Sequence, residues 1–285
     1  MSTVAVLGAG TMGAGIAQAS AGAGHSVLLF DIDEAARQRG LDAIGSSLAR
    51  FVKKESIRQA DADAQLGRVS PTGDMAALAE ADVVIEAVPE RLDIKRSVWE
   101  QAAASAPAAA LLATNTSSLS VTEIASYTGG NESRFCGMHF FNPVPMLPLV
   151  EVVRAQLTAQ DTVDRAVSFV EGLGKTPITC NDTPGFIVNR LLIPYMNDAV
   201  HALAEGVGSA EDIDRAMKLG ANMPLGPLAL CDLVGLDIAL AAAESLHAEY
   251  QDPKFRIHPL LRQMVRAGKL GRKTGSGFYD YDRKG

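Results

Sequence analysis

Residues Thr3–Asp31 read TVAVLGAGTMGAGIAQASAGAGHSVLLFD. Thr3–Leu7 is a short unbroken apolar run, the pattern of a strand buried on both faces. It runs into GAGTMG, with glycines at 8, 10 and 13, and then into an alanine-rich helical stretch from Gly13 to about Ala23. Ser26–Phe30 is a second buried strand, closed by Asp31. A G-x-G-x-x-G pattern alone says little in a chain with 26 glycines. Its place between a buried strand and a helix, with an acid ending the next strand, makes it a dinucleotide fingerprint. Gly8 permits the tight turn, Gly10 lets a pyrophosphate approach the backbone, and Gly13 allows the helix to pack on the strand. The helix N-terminus then faces the phosphates with free N–H groups. Asp31 accepts hydrogen bonds from the adenosine ribose and repels a 2′-phosphate, which favours NAD over NADP. A flavin dinucleotide, or a glycine turn with no ligand, is the alternative at this point.

Outward from this unit the alternation continues. Val69–Thr72 ends in a Pro-containing turn, and strands are expected at Val83–Ala87, Leu111–Thr114, Cys136–Phe140, Leu149–Val153 and Thr176–Cys180. Helices are expected at Glu34–Lys54, Asp61–Gly67, Leu92–Ala104, Val121–Ser126 and Asp161–Leu173. This is an α/β pattern: a Rossmann-like, doubly wound, mostly parallel sheet with helices on both faces. At Asn181–Gly185 the chain reads NDTPG, a turn signal, and the alternation stops. Residues 1–182 therefore read as a dinucleotide-binding domain and 183–285 as an all-helical domain. Its helices are expected at Phe186–Glu205, Ala210–Leu219, Leu236–Tyr250 and Pro259–Ala267. Leu191, Leu192, Ile193 and Met196 serve equally as core or as a surface for a partner subunit.

Composition narrows the class. The 285 residues are 47% hydrophobic and 21% charged, enough for a packed core and against wholesale disorder. A net charge of −7 argues against a nucleic-acid binder. No apolar run reaches the roughly 18 residues of a membrane span, and the first residues do not read as a signal peptide. Cys136, Cys180 and Cys231 are widely spaced and form no C-x-x-C pair, so neither a disulfide framework nor a metal site is expected. The cytoplasm is the expected compartment.

Three further stretches carry chemistry: NTSSL at Asn115–Leu119, HFFNPVP at His139–Pro145 and DTPGFIVNRL at Asp182–Leu191. The first two lie at strand ends, where open α/β sheets bind ligands. Glu151 follows the Pro-rich turn, and a hairpin-like connection of that length brings its carboxylate beside His139. Taken singly each has a plainer reading. His139 reads as structural, Ser117 as a helix cap, Glu151 as a surface charge and Asn189 as an ordinary helical residue.

Taken together, GAGTMGAGIAQ, NTSSLSVTEIA, HFFNPVP, LVEVV, DTPGFIVNRLL, GPLALCDLVGLD and GRKTGSGFYDY resemble the L-3-hydroxyacyl-CoA dehydrogenase family over nearly the whole chain. The resemblance implies NAD as cofactor, an acyl-CoA substrate of short chain such as 3-hydroxybutyryl-CoA, and a homodimer formed by the C-terminal domain. It implies a catalytic set of His139, Glu151, Ser117 and Asn189, the last from the second domain. On the cofactor side it implies Gly8, Gly10, Thr11, Met12, Gly13, Asp31, Glu90, Lys95, Ser117, Asn142 and Lys273. For CoA it implies Ser47 and Lys54, and Ser117 and Asn189 would hold the substrate oxygen. The chain departs from the family at Leu147-Pro148, where many members carry a Lys before LVE, and at Gly129-Gly130, in a slightly longer loop. A dehydrogenase of a free 3-hydroxy acid and a non-catalytic NAD-binding protein are the rival readings.

Overall fold

A computed structural model describes residues 1–281. Residues 282–285, the end of the expected second domain, lie outside the described residues. The chain divides into two compact units, Met1–Thr183 and a second that begins at Pro184.

The first unit is built on one eight-stranded sheet. Its strands are β1 (Thr3–Leu7), β2 (Ser26–Phe30), β3 (Val69–Thr72), β4 (Val83–Glu86), β5 (Leu111–Thr114), β6 (Phe135–Phe140), β7 (Leu149–Arg154) and β8 (Thr176–Asn181). Their spatial order is β3-β2-β1-β4-β5-β6-β7-β8. The helices are α1 (Thr11–Gly22), α2 (Glu34–Lys53), α3 (Gln59–Leu66), α4 (Leu92–Ser105), α5 (Val121–Ser126) and α6 (Gln160–Gly172). The apolar runs of β1, β4 and β5 are buried along almost their whole length, as helix-covered parallel strands must be. The strand order reverses direction between β1 and β4, so the glycine loop leaves β1 at the topological switch point, where such sheets bind ligands.

One pairing breaks the parallel rule. β7 runs antiparallel to β6, and β8 then pairs in parallel with β7. The turn HFFNPVP is what reverses the chain. α1 starts at Thr11, two residues before the expected Gly13, because Gly10 in an extended conformation ends the turn and opens the helix.

The second unit contains α7 (Val188–Ala204), α8 (Ala210–Gly220), α9 (Pro227–Val234), α10 (Leu236–Tyr250) and α11 (Pro259–Arg266). α7 begins two residues later than expected because Gly185 and Phe186 both adopt positive φ, which turns the chain before the helix starts. Of the four residues left open, Ile193 and Met196 join the unit's core, Leu192 packs against it and Leu191 is exposed. The short helix α9 was not anticipated. Pro at its first position and a carboxylate at its N-terminus make it. Asp214 accepts the N–H groups of Leu228 (2.8 Å) and Ala229 (2.9 Å) there. At the other end of α9 the buried Asp232 holds the C-terminal strap. It accepts Phe278 N at 2.9 Å, Tyr279 N at 3.0 Å and the Tyr281 hydroxyl at 3.0 Å. Gly277 is required beside it, since a Cβ there would lie 2.0 Å from Asp232 Oδ1.

Hydrogen bonds to a charged group are worth roughly 1.5–3 kcal/mol each, and those sharing one acceptor do not add fully. Asp232→Ala should therefore cost on the order of 3 kcal/mol in urea unfolding followed by circular dichroism. A loss below about 1 kcal/mol would show that the strap is held by other contacts.

Candidate active site

The glycine loop has the geometry the fingerprint requires. Gly8 has φ +103°, and a Cβ on it would sit 2.8 Å from the Ala87 carbonyl. Gly13 touches the Gly8 carbonyl so closely that a Cβ would fall 1.8 Å from its oxygen. Gly10 is different: a Cβ there meets nothing within 4 Å, so a space opens above its backbone. No side chain caps the start of α1 and no acid lies in its first turn, which leaves its positive pole to an anion. Thr11 is exposed and Met12 half-buried at this end.

Asp31 is tied back to the same loop. Its Oδ2 accepts Ala9 N at 2.9 Å and its Oδ1 accepts Asp33 N at 3.1 Å. The carboxylate is thus fixed beside the glycine loop. These residues fit NAD.

The reversal of β7 sets His139 directly opposite Glu151 in the ladder. Directly opposed residues of an antiparallel pair share a face and lie close enough for their side chains to interact. The two groups meet at 2.7 Å, His139 Nδ1 to Glu151 Oε2, and both residues are at least 95% buried, with exposures of 5% and 1%. Phe141 packs on the imidazole with ring centroids 4.4 Å apart. Lys175 closes the intervening turn by donating to the carbonyls of Val144 (2.6 Å) and Leu147 (2.8 Å). The Leu147-Pro148 departure therefore leaves this turn with an ammonium on it, supplied from the start of β8. Asn142, also in the turn, is exposed.

Ser117 lies in the loop after β5, and Glu90 grips that loop. Glu90 Oε1 accepts the Thr116 hydroxyl (2.6 Å), Ser117 N (2.8 Å) and Ser118 N (3.1 Å), with both serine hydroxyls within 3.3 Å. Its Oε2 lies 3.2 Å from Lys95 Nζ. Lys95 is fully buried and also pairs with Glu86 at 2.7 Å, so its ammonium supports Glu90 instead of facing a ligand. Burial alone would raise the Glu90 carboxyl. The Lys95 ammonium and the hydrogen bonds from Thr116 and Ser117 outweigh it and hold the group below its usual range. Asn115 joins the loop to the dyad strand, because its Oδ1 accepts Phe140 N at 2.9 Å. Asp182 caps α5 just beyond, accepting Val121 N at 3.0 Å and Thr122 N at 2.7 Å. Asn115 and Asp182 open two of the stretches that carry chemistry, without a role of their own in the sequence reading, and Glu86 and Lys175 are absent from it. For Glu86 the available signal was a carboxylate ending the apolar run VVIE.

Ser47 and Lys54 flank Phe51 on α2 and just beyond its end. Spacings of four and three residues put all three on one helix face. Phe51 lines a cavity of about 520 Å³ together with Leu48, Met146 and Leu147. In the second unit, Asn189 stands half-buried in the first turn of α7. Lys273 donates to both oxygens of Asp237, at 2.6 and 2.7 Å. The first unit thus gathers the glycine loop, Asp31, Glu90, Ser117, His139 and Glu151 on one sheet. Cys136, Cys180 and Cys231 are unpaired, and burial pushes each thiol up to about 12, so none offers a nucleophile.

A dinucleotide loop, an acid for ribose and a buried His–Glu pair define an NAD-dependent dehydrogenase. The sequence profile of the 3-hydroxyacyl-CoA dehydrogenase NAD binding domain matches residues 3–183, and that of the family's C-terminal domain matches residues 185–281. The chain belongs to the 3-hydroxyacyl-CoA dehydrogenase family. It is 47% identical to a 3-hydroxybutyryl-CoA dehydrogenase of Clostridioides difficile, over 98% of this chain and 99% of the relative. It is 44% identical to a 3-hydroxyadipyl-CoA dehydrogenase of Escherichia coli, over 98% of this chain and 59% of that longer protein. The crystal structure of an (S)-3-hydroxybutyryl-CoA dehydrogenase from Ralstonia eutropha superposes with a TM-score of 0.95 at 46% identity, covering 99% of this chain and 100% of that one.

The depressed pKa of Glu90 gives a pH test. Its contribution to stability is complete above the unfolded carboxylate value of roughly 4.3 and is lost as pH falls through the lower folded value. Urea unfolding from about pH 7 down to about pH 3 should show wild type losing stability more steeply below about pH 4 than Glu90→Gln. Parallel curves for the two proteins would mean that the loop is not held by an ionised Glu90.

Proposed function

We propose that this dehydrogenase works on short acyl chains, interconverting L-3-hydroxybutyryl-CoA and acetoacetyl-CoA, with His139 as general base and acid. The observation that carries the reading is the buried 2.7 Å pair of His139 Nδ1 and Glu151 Oε2 on the sheet that bears the NAD fingerprint. A secondary alcohol is a weak acid, so its proton has to leave as the hydride departs. Glu151 accepts the Nδ1–H, which fixes the tautomer with the basic lone pair on Nε2. As His139 takes the alcohol proton, the Glu151 carboxylate stabilises the imidazolium. In the reductive direction the imidazolium returns the proton to the ketone oxygen. Ser117 and Asn189 are assigned to hydrogen bonds with that oxygen.

When bound, NAD supplies the hydride acceptor. The glycine loop and Asp31 hold it, and Glu90, Asn142 and Lys273 are assigned to it as well. The cavity beside Phe51 is assigned to the pantetheine arm, and Ser47 and Lys54 to the remainder of CoA. Leu147 in its wall makes that cavity more apolar than a lysine would. The unpaired thiols fit a reducing compartment, and the cytoplasm is assigned on that ground.

Loss of reduced-nicotinamide absorbance should be rapid with acetoacetyl-CoA and NADH, and slow with free acetoacetate or with NADPH. Preference for the free acid would transfer the reading to a dehydrogenase of free 3-hydroxy acids. His139→Ala should bind NADH normally and lose about 10²–10⁴-fold in kcat. A near-wild-type rate in that variant would remove His139 from the role of base.

The helical unit leaves Leu191, Leu219, Leu233 and Ile238 more than half exposed. Large apolar side chains gathered on one unit mark an association surface, and the occupant assigned to it is a second copy of this chain. Light scattering behind gel filtration should give twice the chain mass, and Leu219→Lys with Ile238→Lys should shift it toward the single chain. A wild-type mass of one chain would dispose of the dimer.

A further inference from the structure

We infer that Glu86, a residue that touches neither substrate nor cofactor, positions the alcohol-binding loop through a buried chain of charges. The inference rests on the assignment of Ser117 to the substrate oxygen. Glu86 ends β4, and its Cα is in register with Leu7 of β1 on one side and Thr114 of β5 on the other. Its carboxylate is completely buried. Oε2 accepts the Thr114 hydroxyl at 2.7 Å, and Oε1 accepts Val88 N at 2.9 Å and Lys95 Nζ at 2.7 Å. Its backbone carbonyl accepts Asn115 N at 2.7 Å. Lys95 passes the charge to Glu90, which holds Thr116, Ser117 and Ser118. The loop is therefore gripped at its root by Glu86 and at its tip by Glu90, with one ammonium locking the two carboxylates together.

A role in stability alone is a poor account of this arrangement. Taking charges out of water costs several kcal/mol per ion, and apolar side chains of similar volume serve stability as well or better. What the charges add is direction. Both carboxylates bond to residues of the segment 114–118, and that segment bears Ser117. A catalytic donor has to be held to within about 0.5 Å, and a misplacement of about 1 Å from a distant change costs about 10²-fold in rate.

The test is Glu86→Gln, which keeps the shape and removes the charge. Turnover of acetoacetyl-CoA is measured per NADH-binding site, together with the primary isotope effect from NADH deuterated at the transferred position. The expected result is a fall in kcat of about 10- to 100-fold with a raised isotope effect, as hydride transfer becomes rate-limiting. Glu86→Asp, which restores the charge, should recover part of the rate. A merely structural role would reduce the number of NADH sites and leave the isotope effect and the rate per site at wild-type values, and that result would overturn the inference. If Glu86→Gln does not fold, Thr114→Val removes the link from Glu86 to the loop root, along with the Thr116 N bond to the same hydroxyl at 3.3 Å, and is judged by the same two readouts. Ser117→Ala is run beside them. A rate loss there with none in Glu86→Gln defeats this inference alone, and no loss in Ser117→Ala defeats the assignment on which it rests.

Discussion

The proposed chemistry of this protein depends on the single reversal of direction in the sheet. In a parallel pair the connection needs a crossover, and His139 and Glu151, twelve residues apart, would have no route to a shared position. The antiparallel pairing of β6 and β7 puts them opposite each other on one face. Their 2.7 Å contact then follows from ladder geometry and needs no special loop conformation. Burial does the rest. With both groups shielded from water, the carboxylate acts on the imidazole through a medium of low dielectric, where a charge-assisted hydrogen bond is strong.

Carboxylates serve a second purpose across the chain. Asp31 binds the Ala9 amide, Asp182 the first amides of α5, Asp214 those of α9, Asp232 the C-terminal strap, and Glu90 the serine loop. Each joins segments distant in sequence by accepting backbone N–H groups that no helix or strand ladder satisfies. Part of the net charge of −7 is thus structural, held where it fixes loops. These clamps fall on the glycine loop, on α5 behind Ser117, on the serine loop itself and on the strap that carries Lys273. The glycine loop and the serine loop each have an acid beneath them, whereas the turn between β6 and β7 is held by Lys175.

This division explains what could be read from the sequence. The glycine loop and Asp31 were legible because their constraints are local: a tight turn, a close approach and an acid at a strand end. The His139–Glu151 pair was legible from the length of the turn between two apolar runs. Glu86 and Lys95 were harder. A Glu ending a strand and a Lys in the first turns of a helix look like solvated charges, and only the packing of α4 over the sheet shows that Lys95 is fully buried. α9 was missed for a related reason. Seven of its eight residues are apolar, Asp232 being the exception, and the capping Asp214 comes from another helix.

The turn between the strands of His139 and Glu151 also ties that pair to the helix after the glycine loop. Val144 is buried at 2% exposure, and a Cβ on Gly15 would lie 2.9 Å from its side chain. Gly15 belongs to α1, the helix that opens directly after the glycine loop. On the other side Lys175 and the Thr176 amide bind the carbonyls of Val144, Leu147 and Pro148. Pro143, Pro145 and Pro148 restrict the backbone between these anchors. A side chain at position 15 would push the turn away from α1 and drag His139 and Glu151 with it. Glycine at 15 is therefore as much a requirement of the dyad as of the helix. Close packing of the Val144 side chain on the Gly15 backbone thus joins the helix that follows the glycine loop to the turn between the strands of His139 and Glu151.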